Sequence, residues 1–361
     1  MIKFSQKSLF FFIFISQFLI AQTPPVANDD SIIVEINSTL NQEAPGVLSN
    51  DTDAEGDTIT VVSFLINGVT FNAGQTANFA EGTILVLEDG GYVFTPNQDF
   101  TGSISTINYT ITDGSSTSSA NLNISVEQVP VANDDEKIVL INSILSEPAP
   151  GILSNDSDAD GDTITVASFL INGVTFNAGQ TASFTEGIIL ISANGSYIFT
   201  PNQDFTGNVS IVNYTITDGT FTSSANLNIS VKEPPVSNDD EKIALINSTL
   251  NEPAPGVLGN DTDPDGDMLS VATFSLNEAS FVAGQTTNLT EGAISISADG
   301  SYIFTPSQGF TGNVPTINYT ITDGAFTSSA NLNITVKQAP VANNDIVSVS
   351  YTHLTLPTTP Y

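Results

Sequence analysis

The chain of 361 residues has no cysteine, no tryptophan and no arginine, and its single histidine, His353, lies close to the C-terminus. Without cysteine there is no disulfide framework and no thiolate metal site. Between the first 21 residues and the last dozen there is no imidazole, which excludes the nucleophile–imidazole pairs of hydrolases. Without arginine there is no bidentate phosphate clamp. Positive charge of any kind is scarce: 6 Lys face 39 Asp plus Glu, for a net charge of -33. Nothing here neutralises a phosphate backbone, so nucleic acid is excluded as a partner. Long apolar runs are scarce as well. One, "LFFFIFISQFLI" from Leu9 to Ile20, follows Lys3 and Lys7 and precedes Ala21. It is short for a bilayer, and the pattern predicts a secretory signal peptide over residues 1–21, with no transmembrane segment elsewhere.

What remains is a folded chain. Acidic sequences are often disordered, but this one is 40% hydrophobic and carries Tyr or Phe at regular intervals. An exported protein without disulfides must hold itself together by core burial, or by something the medium supplies.

The dominant pattern is a repeat of 105 residues. "PVANDD" begins at Pro25 and Pro130, "PVSNDD" at Pro235 and "PVANND" at Pro340. "NYTITDG" starts at 108, 213 and 318 in the same register. This divides the chain into repeats at 24–128, 129–233 and 234–338, with a truncated fourth beginning at 339–349. Each unit is long enough for a core of its own. Residues 350–361, "SYTHLTLPTTPY" counted from 350, break the register and resemble translated sequencing-adapter sequence.

Each unit reads as strands. Tyr109 and Ile111 alternate with Asn108, Thr110 and Thr112, and Ala120, Leu122, Ile124 and Val126 alternate in the same way. Period two puts the apolar set on one face. "TILVLEDGGYVFTP" predicts a hairpin turning at Asp89 and Gly90. The expected class is all-β, tandem immunoglobulin-like sandwiches of about seven strands each. Tyr92, Phe94, Phe100 and Tyr109 are expected in packing and turn-anchoring roles.

"DTDAEGD" at 51–57 returns as "DSDADGD" at 156–162 and "DTDPDGD" at 261–267. Paired carboxylates can cleave glycosides, but that chemistry needs one acid raised in a cleft, and these lie in polar Gly-containing loops. Calcium fits better, because it takes six to eight oxygens and alternating Asp before Gly can wrap several around one ion. Asp51, Asp53, Glu55 and Gly56 match the first half of an EF-hand loop, but its twelfth position is Val62, Ala167 or Ala272 rather than Glu. The remaining ligands must come from elsewhere in the fold.

Joining the first two strands, the loop is expected where the last strand exits. Asp51, Asp53, Glu55 and Asp57 would then face Asn133, Asp134 and Asp135 of the next "NDD", with Asp99 at the same end and Asp218 approaching from the next unit. The copies are Asp156, Asp158, Asp160 and Asp162 against Asn238, Asp239 and Asp240, with Asp204 and Asp323, and then Asp261, Asp263, Asp265 and Asp267. The alternative is a solvated acidic turn. Repulsion opposes it: two carboxylates about 5 Å apart in water repel by roughly 0.8 kcal/mol before screening.

"PVANDD", "GVLSNDTDAEGDTITV", "GGYVFTPNQDFTG", "INYTITDG" and "SSANLNISV" together resemble bacterial cadherin-like or tandem-95 repeats, related to VCBS-type units, over residues 24–338. The resemblance implies extracellular immunoglobulin-like sandwiches, often calcium-binding, in adhesins and matrix-associated proteins. Gly309 replaces the acid found at Asp99 and Asp204, so that acid is not required at the last joint. The animal cadherin linker pattern is incomplete, and homophilic adhesion is not implied. The resulting expectation is a non-catalytic, calcium-stiffened spacer or adhesive segment of a larger surface protein, with a surface protein or polysaccharide as ligand. The alternative, a carbohydrate- or exopolysaccharide-binding array, requires exposed aromatic side chains.

Overall fold

A computed structural model of the chain describes residues 22–340. The predicted signal peptide and the adapter-like tail lie outside the described residues, as does nearly all of the fourth repeat's beginning.

The first repeat has ten strands: β1 Asp30–Glu35, β2 Leu40–Gln42, β3 Thr60–Ile66, β4 Val69–Asn72, β5 Thr76–Phe79, β6 Gly82–Val86, β7 Tyr92–Pro96, β8 Gly102–Ser103, β9 Ile107–Thr112 and β10 Thr117–Glu127. They form two sheets, β1-β10-β9-β3-β4 with β8 on β10, and β2-β7-β6-β5. The second and third repeats reproduce both orders 105 and 210 residues on. The count exceeds seven because it includes the short pieces β2, β5 and β8, of three, four and two residues. Such short strands carry no period-two signal.

Alternation makes the core. β9 buries Ile107, Tyr109 and Ile111, β10 buries Ala120, Leu122, Ile124 and Val126, and Asn108, Thr110 and Thr112 stay partly exposed. Val86 and Tyr92 pair across the hairpin that turns at Asp89 and Gly90. Phe64 stacks on Phe71 at 5.4 Å and Phe79 on Phe94 at 6.2 Å between ring centres. Burying each large apolar side chain stabilises the fold by about 1.5–3 kcal/mol. Every repeat has a separate core of this kind.

Register decides which end carries the acidic loop. β1 runs parallel to β10, from Asp30 beside Leu122 to Glu35 beside Glu127. The chain therefore climbs β1 toward the exit end, and β2 brings it back down on the other sheet, antiparallel to β7. β3 then starts with Thr60 opposite Thr112, which also pairs with Thr117 across the β9–β10 turn. The loop 51–57 precedes Thr60, so it lies at the entry end, beside that turn. This corrects the expectation that it lies where the last strand exits; the unrecognised return strand β2 reverses the direction.

One backbone approach fixes the segment leading into the loop. The Val47 amide donates to the Gly90 carbonyl at 3.0 Å in the 3-10 turn Gly46–Leu48. A Cβ on Gly46 (φ 52°) would lie 2.0 Å from the Gly90 oxygen, and one on Gly90 (φ 86°) would lie 2.1 Å from the Pro45 oxygen. Gly151 with Gly195 and Gly256 with Gly300 repeat the contact. Gly90→Ala should therefore destabilise the first repeat by more than about 2 kcal/mol, combining a positive-φ penalty with backbone overlap. Chemical denaturation should resolve this as an earlier transition for that repeat, whereas Gly68→Ala, with open space around it, should cost only the φ term.

An acidic mouth at each repeat entry

Two layers of acids occupy the entry end. The inner layer surrounds a tyrosine. The Tyr109 hydroxyl lies 2.7 Å from the Asn28 carbonyl, 2.9 Å from Asp30 Oδ2, 3.1 Å from the Val47 carbonyl and 3.3 Å from Asp51 Oδ2. It has one proton for these acceptors. Asp51 is buried, and its Oδ1 also accepts the Asn28 amide at 2.7 Å. Tyr214 with Asn133, Asp135 and Asp156, and Tyr319 with Asn238, Asp240 and Asp261, repeat the arrangement.

The "NDD" segments thus serve their own repeat. The Asn133 amide donates to Asp156 Oδ1 at 2.7 Å, Asp134 Oδ1 accepts the Asn226 amide at 2.8 Å, and buried Asp135 accepts from Tyr214. Asn238 and Asp239 likewise bond Asp261 and the Asn331 amide. In place of the expected pairing of Asp51, Asp53, Glu55 and Asp57 with the following "NDD", Asp51 accepts from Asn28, 23 residues earlier in its own unit, and Glu55 and Asp57 accept from Thr23 and Gln22. Asp99 and Asp204 sit away from their own acidic loops, in left-handed turns (φ 59°) whose amides donate to Asn37 and Asn142. Gly309 keeps the same bond to Asn247 with φ 76°. That position needs a backbone conformation rather than a carboxylate.

The outer layer is the loop proper. Asp53 Oδ1 accepts the amides of Glu55 and Asp57 at 3.0 and 2.9 Å, which curls the loop around it. Asp158 and Asp263 do the same for Asp160 with Asp162 and for Asp265 with Asp267. The other oxygen of Asp53, Asp158 and Asp263 is shut from water and accepts no hydrogen bond from any described residue. In the third repeat, carboxylate oxygens of Asp263, Asp265 and Asp267 lie within 4.8 Å of one another. On the neighbouring β9–β10 turns, Asp113, Asp218 and Asp323 each accept two amides of their own turn. Those donors hold the Asp113 carboxyl below its ordinary pKa. The Oδ2 atoms of Asp113 and Asp323 are again buried without a partner among the described residues.

Sequence reasoning singled out Asp218 and Asp323 but missed Asp113, although the shared "NYTITDG" register identifies it. It also missed Glu127 and Lys232, whose positions at the unit boundary become informative only once the entry end is known.

Three tandem immunoglobulin-like sandwiches, each opening on an acid-lined entry, define a modular repeat protein. The chain belongs to the bacterial cadherin-like domain family, which matches residues 22–128, 127–233 and 232–338. Among solved structures it is similar to the 3Ig structure of titin domains I67–I69, E-to-A mutated variant, at 11% identity, covering 88% of this chain and 100% of that one, with a TM-score of 0.34. It is also similar to the N-terminal four Ig domains of Dscam1 isoform 8.4, at 9% identity, covering 87% and 78%, with a TM-score of 0.31. No curated protein sequence matches it. Repeats of this family point to an extracellular or surface protein, and among the described residues no helix is long and apolar enough to cross a membrane.

Cadherin-like domains commonly bind calcium, and the outer layer fits that ion. The donors are all oxygens, as a hard cation requires, and several are buried anionic atoms without a hydrogen-bond donor among the described residues.

The inner layer makes the fold sensitive to pH. Burial raises the carboxyls of Asp30, Asp51, Asp156, Asp240 and Asp261 above their ordinary pKa, and that of Asp135 to about 6. Each acid then holds a proton more readily folded than unfolded, so stability falls as pH rises from about 4 through about 6. In a chelating buffer the melting midpoint should be higher at pH 5 than at pH 7. Asp135→Asn should flatten the second repeat's share of that slope; an unchanged slope would show that the buried acids are not its source.

Proposed function

We propose that the chain is a secreted, non-catalytic spacer or adhesive segment of a larger bacterial surface protein, stiffened by calcium at its repeat entries. The ion would be held in the first repeat by Asp53, Glu55, Asp57 and Asp113. In the second the set is Asp158, Asp160, Asp162 and Asp218, and in the third Asp263, Asp265, Asp267 and Asp323. Asp51, Asp156 and Asp261, with the "NDD" acids, act behind them as ties between strands. The observation that carries this reading is the bare, water-excluded oxygen of Asp53 and its two copies, with carboxylates converging around it in the third repeat, where Asp263, Asp265 and Asp267 come together. Leaving such an oxygen unsatisfied costs about 1–3 kcal/mol. A divalent cation offsets that cost and the mutual repulsion, and fixes the loop against the β9–β10 turn. It contributes positive charge and takes several carboxylate oxygens as ligands at once. The adhesive partner is a surface protein or polysaccharide.

A sugar-stacking array finds less support. All six tyrosines of the three repeats are buried, and among the described residues no Phe or Tyr is exposed. The aromatic faces that a glycan would use are already packed against other side chains.

Extracellular calcium modules bind at around 10⁻⁴ to 10⁻³ M. At 5 mM calcium a repeat that binds in this range should gain roughly 1–2 kcal/mol by mass action, with magnesium much weaker because it resists a crowded carboxylate cage. Asp158→Asn with Asp160→Asn should remove the second repeat's share, while Asp134→Asn should leave the first repeat's gain intact. Calorimetry showing no calcium heat at 5 mM, together with an unchanged melting midpoint, would reduce the loops to acidic turns.

A further inference from the structure

The repeats agree closely around the acidic mouth but differ at one position that enters it from the preceding unit. Positions 22, 127 and 232 are equivalent, and they are Gln22, Glu127 and Lys232. The family match assigns residues 127–128 and 232–233 to both neighbours. Gln22 donates through Nε2 to Asp57 at 3.0 Å. Lys232, the last residue of the strand Thr222–Lys232, donates through Nζ to Asp267 Oδ2 at 2.8 Å, across the joint between the second and third repeats. The next amide ties the same loops: Gln128 to Asp160 Oδ2 at 2.5 Å and Glu233 to Asp265 Oδ2 at 2.7 Å.

The electrostatic surroundings of the two joint residues match acid for acid. Lys232 feels Asp267, Asp323 and Asp265, which raise its pKa together with the Asp267 bond. Burial pushes the Glu127 carboxyl up against a bond to Ser125 of its own strand, and the equivalent Asp162, Asp160 and Asp218 add their repulsion. One mouth receives an ammonium, whereas the other receives a further carboxylate. The three loop carboxylates that converge within 4.8 Å belong to the repeat holding the ammonium; among the described residues no other such trio occurs.

We propose that this boundary residue sets whether a joint depends on calcium. Lys232 is a tethered cation that closes the second joint without metal, and Glu127 leaves the first joint open until metal binds. The array then has one permanently stiff joint and one that follows the calcium level of the medium. The calcium half rests on the function proposed above; the lysine half stands on the ion pair alone.

Of the remaining lysines of the second and third repeats, Lys337 ends the third repeat's last strand as Lys232 ends the second's, and Lys137 and Lys242 pair with Glu147 and Glu252 of their own units at 3.0 and 3.1 Å. Neither pair bridges a joint. With Glu233 standing against Gln128 as well as Lys232 against Glu127, the mouth at the second joint is one charge more positive than that at the first, so calcium should bind at the first joint about tenfold more tightly.

Because the chain has no cysteine, paired spin labels can report each joint without background. Thr70, Thr175 and Ser280 are exposed and equivalent. In the full array, the T70C/T175C pair reads the first joint and T175C/S280C the second by double electron–electron resonance. In EDTA the first distance distribution should be broad and the second narrow; at 5 mM calcium both should be narrow. Lys232→Glu should broaden the second in EDTA and make it calcium-responsive. Glu127→Lys should narrow the first in EDTA. If both wild-type joints respond alike, or Lys232→Glu leaves the second narrow in EDTA, the proposal fails. If no joint responds to calcium yet Lys232→Glu broadens the second, the metal reading fails and the lysine clamp remains.

Discussion

Each entry end is organised around one phenolic proton offered to too many oxygens. Tyr109 is wholly buried, yet its hydroxyl meets two backbone carbonyls and two carboxylates. Those acceptors belong to the incoming chain before β1, to β1 itself, to the 3-10 turn and to the start of the acidic loop. A single side chain on β9 therefore ties four segments that are distant in sequence. Burial of the aromatic body supplies the stability, and the crowded hydroxyl supplies the alignment. Neither would suffice alone, because a buried ring without a satisfied hydroxyl carries a desolvation penalty.

This knot dictates where the outer acids can go. With Asp51 held by Asn28 and Tyr109, the chain leaves toward Asp53, whose Oδ1 gathers two following amides. Its second oxygen is left facing inward with no donor among the described residues. The outer carboxylates then collect on the same end as the β9–β10 turn and the arriving linker. The negative charge that makes the composition unusual is thus concentrated where consecutive domains meet. A surface carboxylate elsewhere would be relaxed by water, but these share a confined mouth, and the identity of any nearby cation has a large effect.

Much of this was legible in the residues. The 105-residue register, the period-two strands around Tyr109 and Leu122, and the hairpin at Asp89 and Gly90 follow directly from spacing. The direction of the acidic loop does not. It depends on β2, the three residues Leu40–Gln42, of which only Leu40 packs against the core. Missing one short return strand moves the loop to the opposite end and pairs it with the wrong "NDD". Tyr109 was correctly read as a core residue, but a strand pattern marks only its inward face and says nothing of what its hydroxyl meets. Asp99 does lie at the exit end, tied to Asn37 beside the end of the last strand. Its left-handed φ, which Gly309 also adopts, shows that the chain selects there for backbone freedom.

The contrast among repeats then acquires meaning. The glycine contact at Gly46 and Gly90, the tyrosine knot and the Asp53 curl recur in all three units, since each is needed for a repeat to close on itself. Selection on the single domain leaves those positions little room. A residue at the end of the last strand is different: its side chain is not part of its own core, and that of Lys232 reaches into the next unit's mouth. Gln22, Glu127 and Lys232 can vary in charge without disturbing either fold. An array built from near-identical domains can therefore differ from joint to joint in its electrostatics while every bead remains the same. The constraint that fixes the mouth and the freedom that fills it lie on opposite sides of one boundary.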